Sequence, residues 1–223
     1  MPRVARSVIV DCPLHVVQRG INRSACFFAD RDYQTYLRHL EVFSARFGCS
    51  VHAYCLMTNH VHLLLTPHAA DACALLMKNL GQHYVQGVNH RLGRSGTLWE
   101  GRFYSCLVPS EAYVLACYRY IELNPVRAGI VKTPTQYRWS SYGANAEGNV
   151  QTFVRPHPAY DGIGIDTEQR LRAYRELCSA GVPALAMEEI RKATRVGYAI
   201  GTRRRGPGRP SKLDEKNRVR PYF

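Results

Sequence analysis

Two long helical patterns alternate with four short apolar segments over the first half of the chain, and this order restricts the fold more than any other feature. Residues 30–47 repeat apolar and aromatic side chains at helical spacing, and residues 71–92 predict a second helix. The apolar segments are bounded by turn residues and predict strands at residues 14–21, 50–58, 60–67 and 102–108. The resulting β-α-β-β-α-β order predicts a ferredoxin-like α+β fold, with one antiparallel sheet and both helices on one face. We expect the other face to stay open to a substrate.

The second half of the chain is predicted to be mostly helical. A third helix follows Ser110 and stops before Pro125, because the residue before a proline disfavours helical backbone. Residues 166–178 and 182–195 predict two further helices. We therefore expect a sheet-containing domain, a helical extension and a flexible basic tail, over residues 1–142, 143–200 and 201–223.

The charge of the chain indicates a polyanionic partner. Its net charge is +13, and the tail over residues 201–223 has eight Lys or Arg against Asp214 and Glu215. Nucleic acid is the leading expectation, and a basic protein without such a partner is the alternative. A membrane surface is disfavoured because the tail has no amphipathic apolar face.

Nothing in the sequence indicates a membrane span or secretion. There is no run of 18 apolar residues, and the apolar stretch near the N-terminus is too short for a secretory signal. The eight cysteines form no CxxC pair, so we expect reduced, mostly buried thiols. We expect the protein to lie in the cytoplasm, associated with the nucleoid.

The stretch TNHVHLLL contains two histidines, His60 and His62, at the spacing that puts both on one face of a strand. Two neutral imidazoles about 7 Å apart at the backbone can converge on one metal ion. Two polar residues on a solvated sheet face would show the same pattern, so the HxH spacing leaves both interpretations open.

The predicted third helix contains a second pair of candidate residues. Tyr120 and Asn124 are four residues apart and lie on one helical face, whereas Tyr118 points away. A packed aromatic residue followed by a helix-terminal asparagine is the alternative. If both pairs serve one site, His60, His62 and the amide oxygen of Asn124 make a mixed nitrogen and oxygen site for Mg²⁺ or Mn²⁺.

Such a site would activate Tyr120 as a nucleophile. Free tyrosine has a pKa of about 10 and attacks poorly at neutral pH. A nearby divalent metal favours the phenolate and neutralises charge on a phosphate. Attack on a DNA strand would leave a 5′-phosphotyrosine and a free 3′-OH, and the covalent link would allow rejoining.

Several motifs occur in the order found in a known family. They include HVVQRGINRS, NHVHLLLTP, GTLWEGRFYS, YIELNPVRAGIV and YRWSSY. Together they resemble the REP-associated tyrosine transposases, a branch of the HUH single-strand transposases with an IS200-like domain. The resemblance covers about residues 1–142 and continues more weakly to about residue 178.

The resemblance implies a role for each candidate residue. The metal-binding histidines of the family fall on His60 and His62, its nucleophile on Tyr120 and its third ligand on Asn124. It also implies a single-stranded DNA hairpin as substrate, drawn from repeated extragenic palindromes, and the function of a domesticated transposase. We expect a monomer; a dimer that exchanges catalytic helices is the alternative.

Several basic regions are candidates for holding DNA. The turn after the first strand offers Arg19, Asn22 and Arg23, which would contact phosphates or a base edge. Arg102 lies near Trp99, which is either a stacking platform or a core residue. Arg127 follows the predicted catalytic helix. For each arginine, a solvated surface charge is the alternative.

The segment RRRGPGRPSK in the tail resembles an AT-hook, whose core lies in the minor groove of AT-rich duplex. A nonspecific electrostatic arm is the alternative. The candidate residues are Arg203, Arg204, Arg205 and Arg209.

Two other functions are compatible with the same sequence features. The chain could be the transposase of a complete mobile element, with the same chemistry on its own ends. It could also be a DNA-binding regulator that has lost catalysis, although the presence of all four site residues argues against that.

Overall fold

The computed structural model describes residues 8–202, and within them one four-stranded antiparallel sheet carries the fold. Its strands lie in the order β2-β3-β1-β4 and span Leu14–Arg19 (β1), Cys49–Met57 (β2), His60–Pro67 (β3) and Tyr104–Leu107 (β4). Helix α1 (Asp30–Phe47) joins β1 to β2, and helix α2 (Ala72–Leu92) joins β3 to β4. This is the ferredoxin-like α+β arrangement predicted from the sequence.

Glycines end both of these helices. Gly48 and Gly93 follow α1 and α2 with φ of 66° and 59°, a left-handed backbone that side chains with a Cβ disfavour. At the other end of α1, the Asp32 carboxylate accepts hydrogen bonds from the backbone N–H groups of Phe28 and Ala29, at 2.8 and 3.0 Å. These bonds satisfy donors that would otherwise be unpaired at the helix start.

The register of β1 against β3 places the two candidate histidines beside the end of β1. Val17 pairs with His62, and Arg19 pairs with His60. The alternation along β3 sends Val61 into the core beneath α1 and α2, whereas His62 faces the opposite side of the sheet.

Helices cover much of that opposite side, contrary to the expectation that this face stays open. Helix α3 (Glu111–Glu122) and the last described helix, α8 (Ala184–Val196), both pack on the sheet. The strands contribute apolar side chains to this second core, including Cys55 and Leu64, both fully buried. An apolar sheet face needs a cover to exclude water, and α3 and α8 provide it.

The third helix ends earlier than predicted. Helix α3 stops at Glu122, and a separate short helix, α4 (Asn124–Arg127), begins two residues later. Pro125 is its second residue, a position where the missing N–H costs nothing because no intrahelical partner exists there. Three more helices precede α8: α5 (Tyr142–Glu147), α6 (Pro158–Asp161) and α7 (Thr167–Ser179).

A buried carboxylate joins the helical extension to α3. Glu122 is fully buried; its Oε1 accepts from Ser141 Oγ at 2.5 Å and Asn145 Nδ2 at 2.7 Å, and its Oε2 accepts from Tyr174 Oη at 2.5 Å. Burial raises the pKa of Glu122 to about 7, and the three hydrogen bonds act in the opposite direction. The extension therefore shares a core with α3.

The cysteines are unpaired, as expected from the sequence, and all except Cys12 are buried. Within residues 8–202, no helix combines the length and the apolar character that a membrane crossing would require.

Candidate active site

His60 and His62 lie together on the sheet face that α3 covers, because strand alternation gives residues two apart the same direction. Their ring centroids are 4.9 Å apart, and the rings are nearly perpendicular, at 78°. His60 is partly buried and His62 is 5% exposed. The pair is therefore close enough for both rings to contact one ion.

A neighbouring amide orients His60. Its Nδ1 lies 2.6 Å from Oδ1 of Asn59, whose Nδ2 donates to the carbonyl of Arg23 at 3.0 Å. Because an amide oxygen only accepts, His60 Nδ1 is the donor and its lone pair is on Nε2. Burial, with a smaller effect of nearby Arg19, lowers the pKa of His60 to about 4, so the ring is neutral at physiological pH.

A third histidine, His15 on β1, contacts His62. Its Nε2 lies 3.0 Å from Nδ1 of His62. Burial lowers the pKa of His62 well below its ordinary value and that of His15 to about 3, so both rings are neutral. His15 was not among the predicted site residues, although a histidine as the second residue of the apolar strand β1 was a signal for it.

Tyr120 lies against both of these histidines. Its ring meets His62 and His15 edge to face, with centroids 5.7 Å apart in each case, and the residue is 7% exposed. Arg127 stacks its guanidinium over the Tyr120 ring at 4.5 Å and donates from Nη2 to the Tyr120 carbonyl at 2.5 Å. The Tyr120 ring therefore contacts two neutral imidazoles and one guanidinium cation.

Tyr118 occupies a different environment from Tyr120. It is fully buried, its ring stacks on Tyr160, and its hydroxyl accepts from the backbone N–H of His157 at 3.1 Å. Burial raises its pKa well above the ordinary value. Its role is structural, which agrees with the helical spacing that directed it away from Asn124.

A cleft of about 490 Å³ opens over His62 and Tyr120. Four arginines line it: Arg19, Arg23, Arg191 and Arg195. The first two were predicted from the sequence. The other two belong to α8 and were missed, because only the packing of α8 on the sheet brings them to this cleft. The exposed side chain of Tyr104 on β4 also lines it.

Asn124 is not among the described residues that line this cleft. It begins α4, one turn beyond Tyr120 along the chain, and is partly buried. Within residues 8–202, no three His, Cys, Asp or Glu side chains cluster as a complete metal site. His60 and His62 are the two adjacent histidines that could hold an ion, since His15 is hydrogen-bonded to His62.

The remaining predicted DNA-binding residues are spread over the molecule. Asn22 is exposed in the turn Ile21–Arg23, next to the cleft arginine Arg23. Arg102 is exposed and lines a separate cavity against α2, together with Trp99, which is 6% exposed and belongs to the core. The predicted tail residues lie outside the described part of the chain: Arg203, Arg204, Arg205 and Arg209.

The two imidazoles fit a divalent metal. Both are neutral, and the bond at Nδ1 of His60 leaves its Nε2 available as a ligand. Neutral imidazole is a common metal ligand, and oxygen ligands suit Mg²⁺ and Mn²⁺. His62, Tyr120, the four arginines and Glu100 line the cleft, and His60 lies beside His62. The arginines can bind phosphates there, next to the hydroxyl nucleophile.

Comparisons with known proteins point to one family. A family model described as "Transposase IS200 like" matches residues 8–124, more than half of the chain. Among solved structures, the chain is similar to a REP-associated tyrosine transposase bound to a REP hairpin, with a TM-score of 0.54, 16% identity, and coverage of 71% of this chain and 93% of that one. It also matches a candidate transposase from Deinococcus radiodurans R1, with a TM-score of 0.38, 18% identity, and coverage of 51% and 91%. No curated protein matches the chain.

Proposed function

Because the chain belongs to the IS200-like transposase family, as its sequence motifs predicted, we propose that it cuts and rejoins single-stranded DNA through Tyr120. The observation that carries this proposal is the position of Tyr120. Its ring lies 5.7 Å from that of His62, in a cleft lined by four arginines. A nucleophile, a metal-binding ring and phosphate-binding cations therefore share one small volume.

The proposed metal is Mg²⁺ or Mn²⁺, held by His60 and His62 through Nε2. Asn124 is the proposed third ligand through its amide oxygen, on the family motif alone. Oxygen ligands from water and DNA phosphate would complete the set that these ions prefer. The chemistry that the ion supplies when bound is to neutralise charge on the phosphate to be attacked.

The proposed cleavage exchanges one phosphate ester bond for another. The Oη of Tyr120 bonds to phosphorus, and the bond from phosphorus to the 3′ oxygen breaks. The phenol loses its proton and the departing 3′ oxygen gains one, leaving a 5′-phosphotyrosine and a free 3′-OH. The link preserves the energy of the phosphodiester, so a 3′-OH can reverse the step and rejoin strands.

The proposed role of the arginines is to hold the backbone of the strand. Arg19 and Arg23 approach the cleft from the β1 side, and Arg191 and Arg195 approach from α8. Guanidinium groups bind phosphate oxygens with two parallel N–H bonds, which also sets the orientation of the strand.

A hairpin from a repeated palindrome is the proposed substrate. The described similarity to a transposase bound to a REP hairpin supports this choice, together with the motif resemblance. In this proposal the chain is a domesticated transposase that acts on its own genomic repeats. The transposase of a complete element would use the same site, and the DNA flanking the gene distinguishes the two.

The test uses a labelled single-stranded hairpin from the palindromes nearest to the gene, with Mg²⁺ or Mn²⁺. A covalent protein–DNA adduct on a denaturing gel is expected for the wild type and not for Tyr120→Phe. Tyr118→Phe is the matched control and is expected to form the adduct. Binding without an adduct in the wild type, with either metal, would instead indicate a DNA-binding regulator.

A further inference from the structure

Two residues outside the predicted site connect to His62 through a chain of hydrogen bonds. His15 Nε2 lies 3.0 Å from His62 Nδ1, and His15 Nδ1 lies 2.8 Å from Thr194 Oγ1. The exposed fractions of His15, His62 and Thr194 are 1%, 5% and 5%, so water competes little for these bonds. The chain links β1, β3 and α8.

The direction of these bonds follows from Thr194. Its Oγ1 lies 2.7 Å from the carbonyl of Ile190, and because a carbonyl only accepts, the hydroxyl proton is used there. Oγ1 must then accept from His15 Nδ1–H. The Cys106 thiol, 3.1 Å from the same oxygen, keeps its proton because burial raises its pKa to about 12, and it can donate as well.

The tautomer of His15 then determines which nitrogen of His62 carries the proton. A neutral imidazole has one N–H, so His15 with its proton on Nδ1 has a lone pair on Nε2. That lone pair accepts from His62 Nδ1–H, which leaves the His62 lone pair on Nε2. The two rings are parallel within 2° and their centroids are 5.2 Å apart, the arrangement of coplanar rings joined edge to edge by an N–H···N bond.

We propose that His15 and Thr194 are positioning residues, which hold His62 in the Nδ1-protonated tautomer and so present its Nε2 lone pair to the divalent metal. This inference rests on the proposed metal site at His60 and His62. Asn59 does the same for His60 with a single bond. Because Thr194 lies on α8, the helical extension takes part in the metal site.

Without the Thr194 hydroxyl, nothing would fix the proton of His15 on Nδ1. His15 could then place its proton on Nε2 and donate to His62 Nδ1, which would put the His62 proton on Nε2 and block that nitrogen as a ligand. Residues that orient a metal ligand in this way typically contribute about 10–100-fold to metal affinity. Thr194→Val keeps the shape of the side chain and removes only the hydroxyl.

The direct test is the histidine tautomer in the metal-free full-length protein. Proton–nitrogen correlation spectra of protein labelled with ¹⁵N in histidine distinguish Nδ1–H from Nε2–H rings. We expect His62 to be protonated at Nδ1 in the wild type and in Thr194→Ser, and to show an Nε2–H population in Thr194→Val. Thr66→Val is a matched control, because Thr66 Oγ1 lies 2.8 Å from Nε2 of another buried histidine, His52, and the variant should leave His62 unchanged.

A Mn²⁺ titration without DNA provides the second measurement. Affinity is expected to fall about 10-fold or more in Thr194→Val and to stay within about twofold of wild type in Thr194→Ser and Thr66→Val. A wild-type His62 protonated at Nε2, or an unchanged tautomer and Mn²⁺ affinity in Thr194→Val, would overturn the inference. If wild-type His62 is protonated at Nδ1 but the protein binds no Mn²⁺, both the positioning role and the proposed metal are overturned. If the protein binds Mn²⁺ normally but forms no DNA adduct, only the proposed function is overturned.

Discussion

The guanidinium carbon of Arg127 lies 4.5 Å from the ring centre of Tyr120, and Nη2 of the same arginine donates to the Tyr120 carbonyl. This one side chain therefore holds both the ring and the backbone of the proposed nucleophile. Its Nε and Nη1 are buried and have no hydrogen-bond partner among the described residues. Two donors of a buried cation are thus available beside Tyr120.

Replacing Arg127 should slow cleavage even where the charge is kept. Lysine cannot reproduce the planar fork, so both Arg127→Lys and Arg127→Met should lower the rate of adduct formation by about 10-fold or more, the equivalent of one cation–π contact or charged hydrogen bond. Single-turnover kinetics with saturating hairpin DNA would measure the rate of adduct formation. A wild-type rate for Arg127→Lys would show that only the charge matters.

Removing His60 should stop cleavage by removing one of the two nitrogen donors. His60→Ala is expected to form no detectable adduct with Mg²⁺, while Mn²⁺ in excess restores part of the rate because it binds nitrogen ligands more tightly. His68→Ala is the control, since His68 is exposed at the other end of β3. Equal rates for His60→Ala and wild type would show that the metal site is misassigned.

The α8 arginines should contribute to DNA affinity. Arg191→Ala and Arg195→Ala are each expected to weaken hairpin binding and to reduce the slope of log affinity against log salt by about 0.7, the value for one phosphate contact to a single strand. Arg172→Ala is the matched control, because Arg172 is an exposed arginine on α7, ion-paired with Glu176. Similar slopes for all three variants and wild type would place the strand elsewhere.

The tail should strengthen binding without taking part in chemistry. Residues 201–223 carry eight Lys or Arg and two acidic residues, and nucleic acid attracts this excess of positive charge. Deleting them should weaken hairpin affinity, most at low salt, and leave the rate of adduct formation at saturation unchanged. Affinities that coincide across a salt titration would refute a role of the tail in binding.

Glu122 should make stability depend on pH in an unusual direction. Its folded pKa, about 7, is above its ordinary value of 4.5, so the folded protein binds the proton more tightly than the unfolded chain does. Its contribution is full below about pH 4.5 and is lost as pH rises through about 7, a difference of about 3 kcal/mol.

Glu122→Gln removes that titration and keeps a side chain of the same shape. The free energy of unfolding of wild type, minus that of the variant, should therefore fall between pH 4.5 and 7 and be constant above it. Chemical denaturation at each pH measures this difference, and Glu176→Gln, on an exposed carboxylate, should show no such trend. A difference that is flat with pH would mean that Glu122 stays ionised in the fold.

The periodicity of side chains along the sequence determined the order of strands and helices and the positions of the main candidate residues. The order of strands and helices followed from patterns within single segments, and the shared face of His60 and His62 followed from the two-residue repeat of a strand. Tyr120 was separated from Tyr118 by helical spacing in the same way. These features depend on neighbours in the chain, so sequence alone could predict them.

The tertiary structure decided what covers the second face of the sheet and what completes the site. Thr194 and His15 are 179 residues apart, and no local pattern relates them. Arg191 and Arg195 likewise reach the cleft only because α8 packs on β1 and β4. The apolar side of the sheet required a cover, but contacts between distant segments decided that α3 and α8 provide it. Such contacts also decided that His15 lies beside His62.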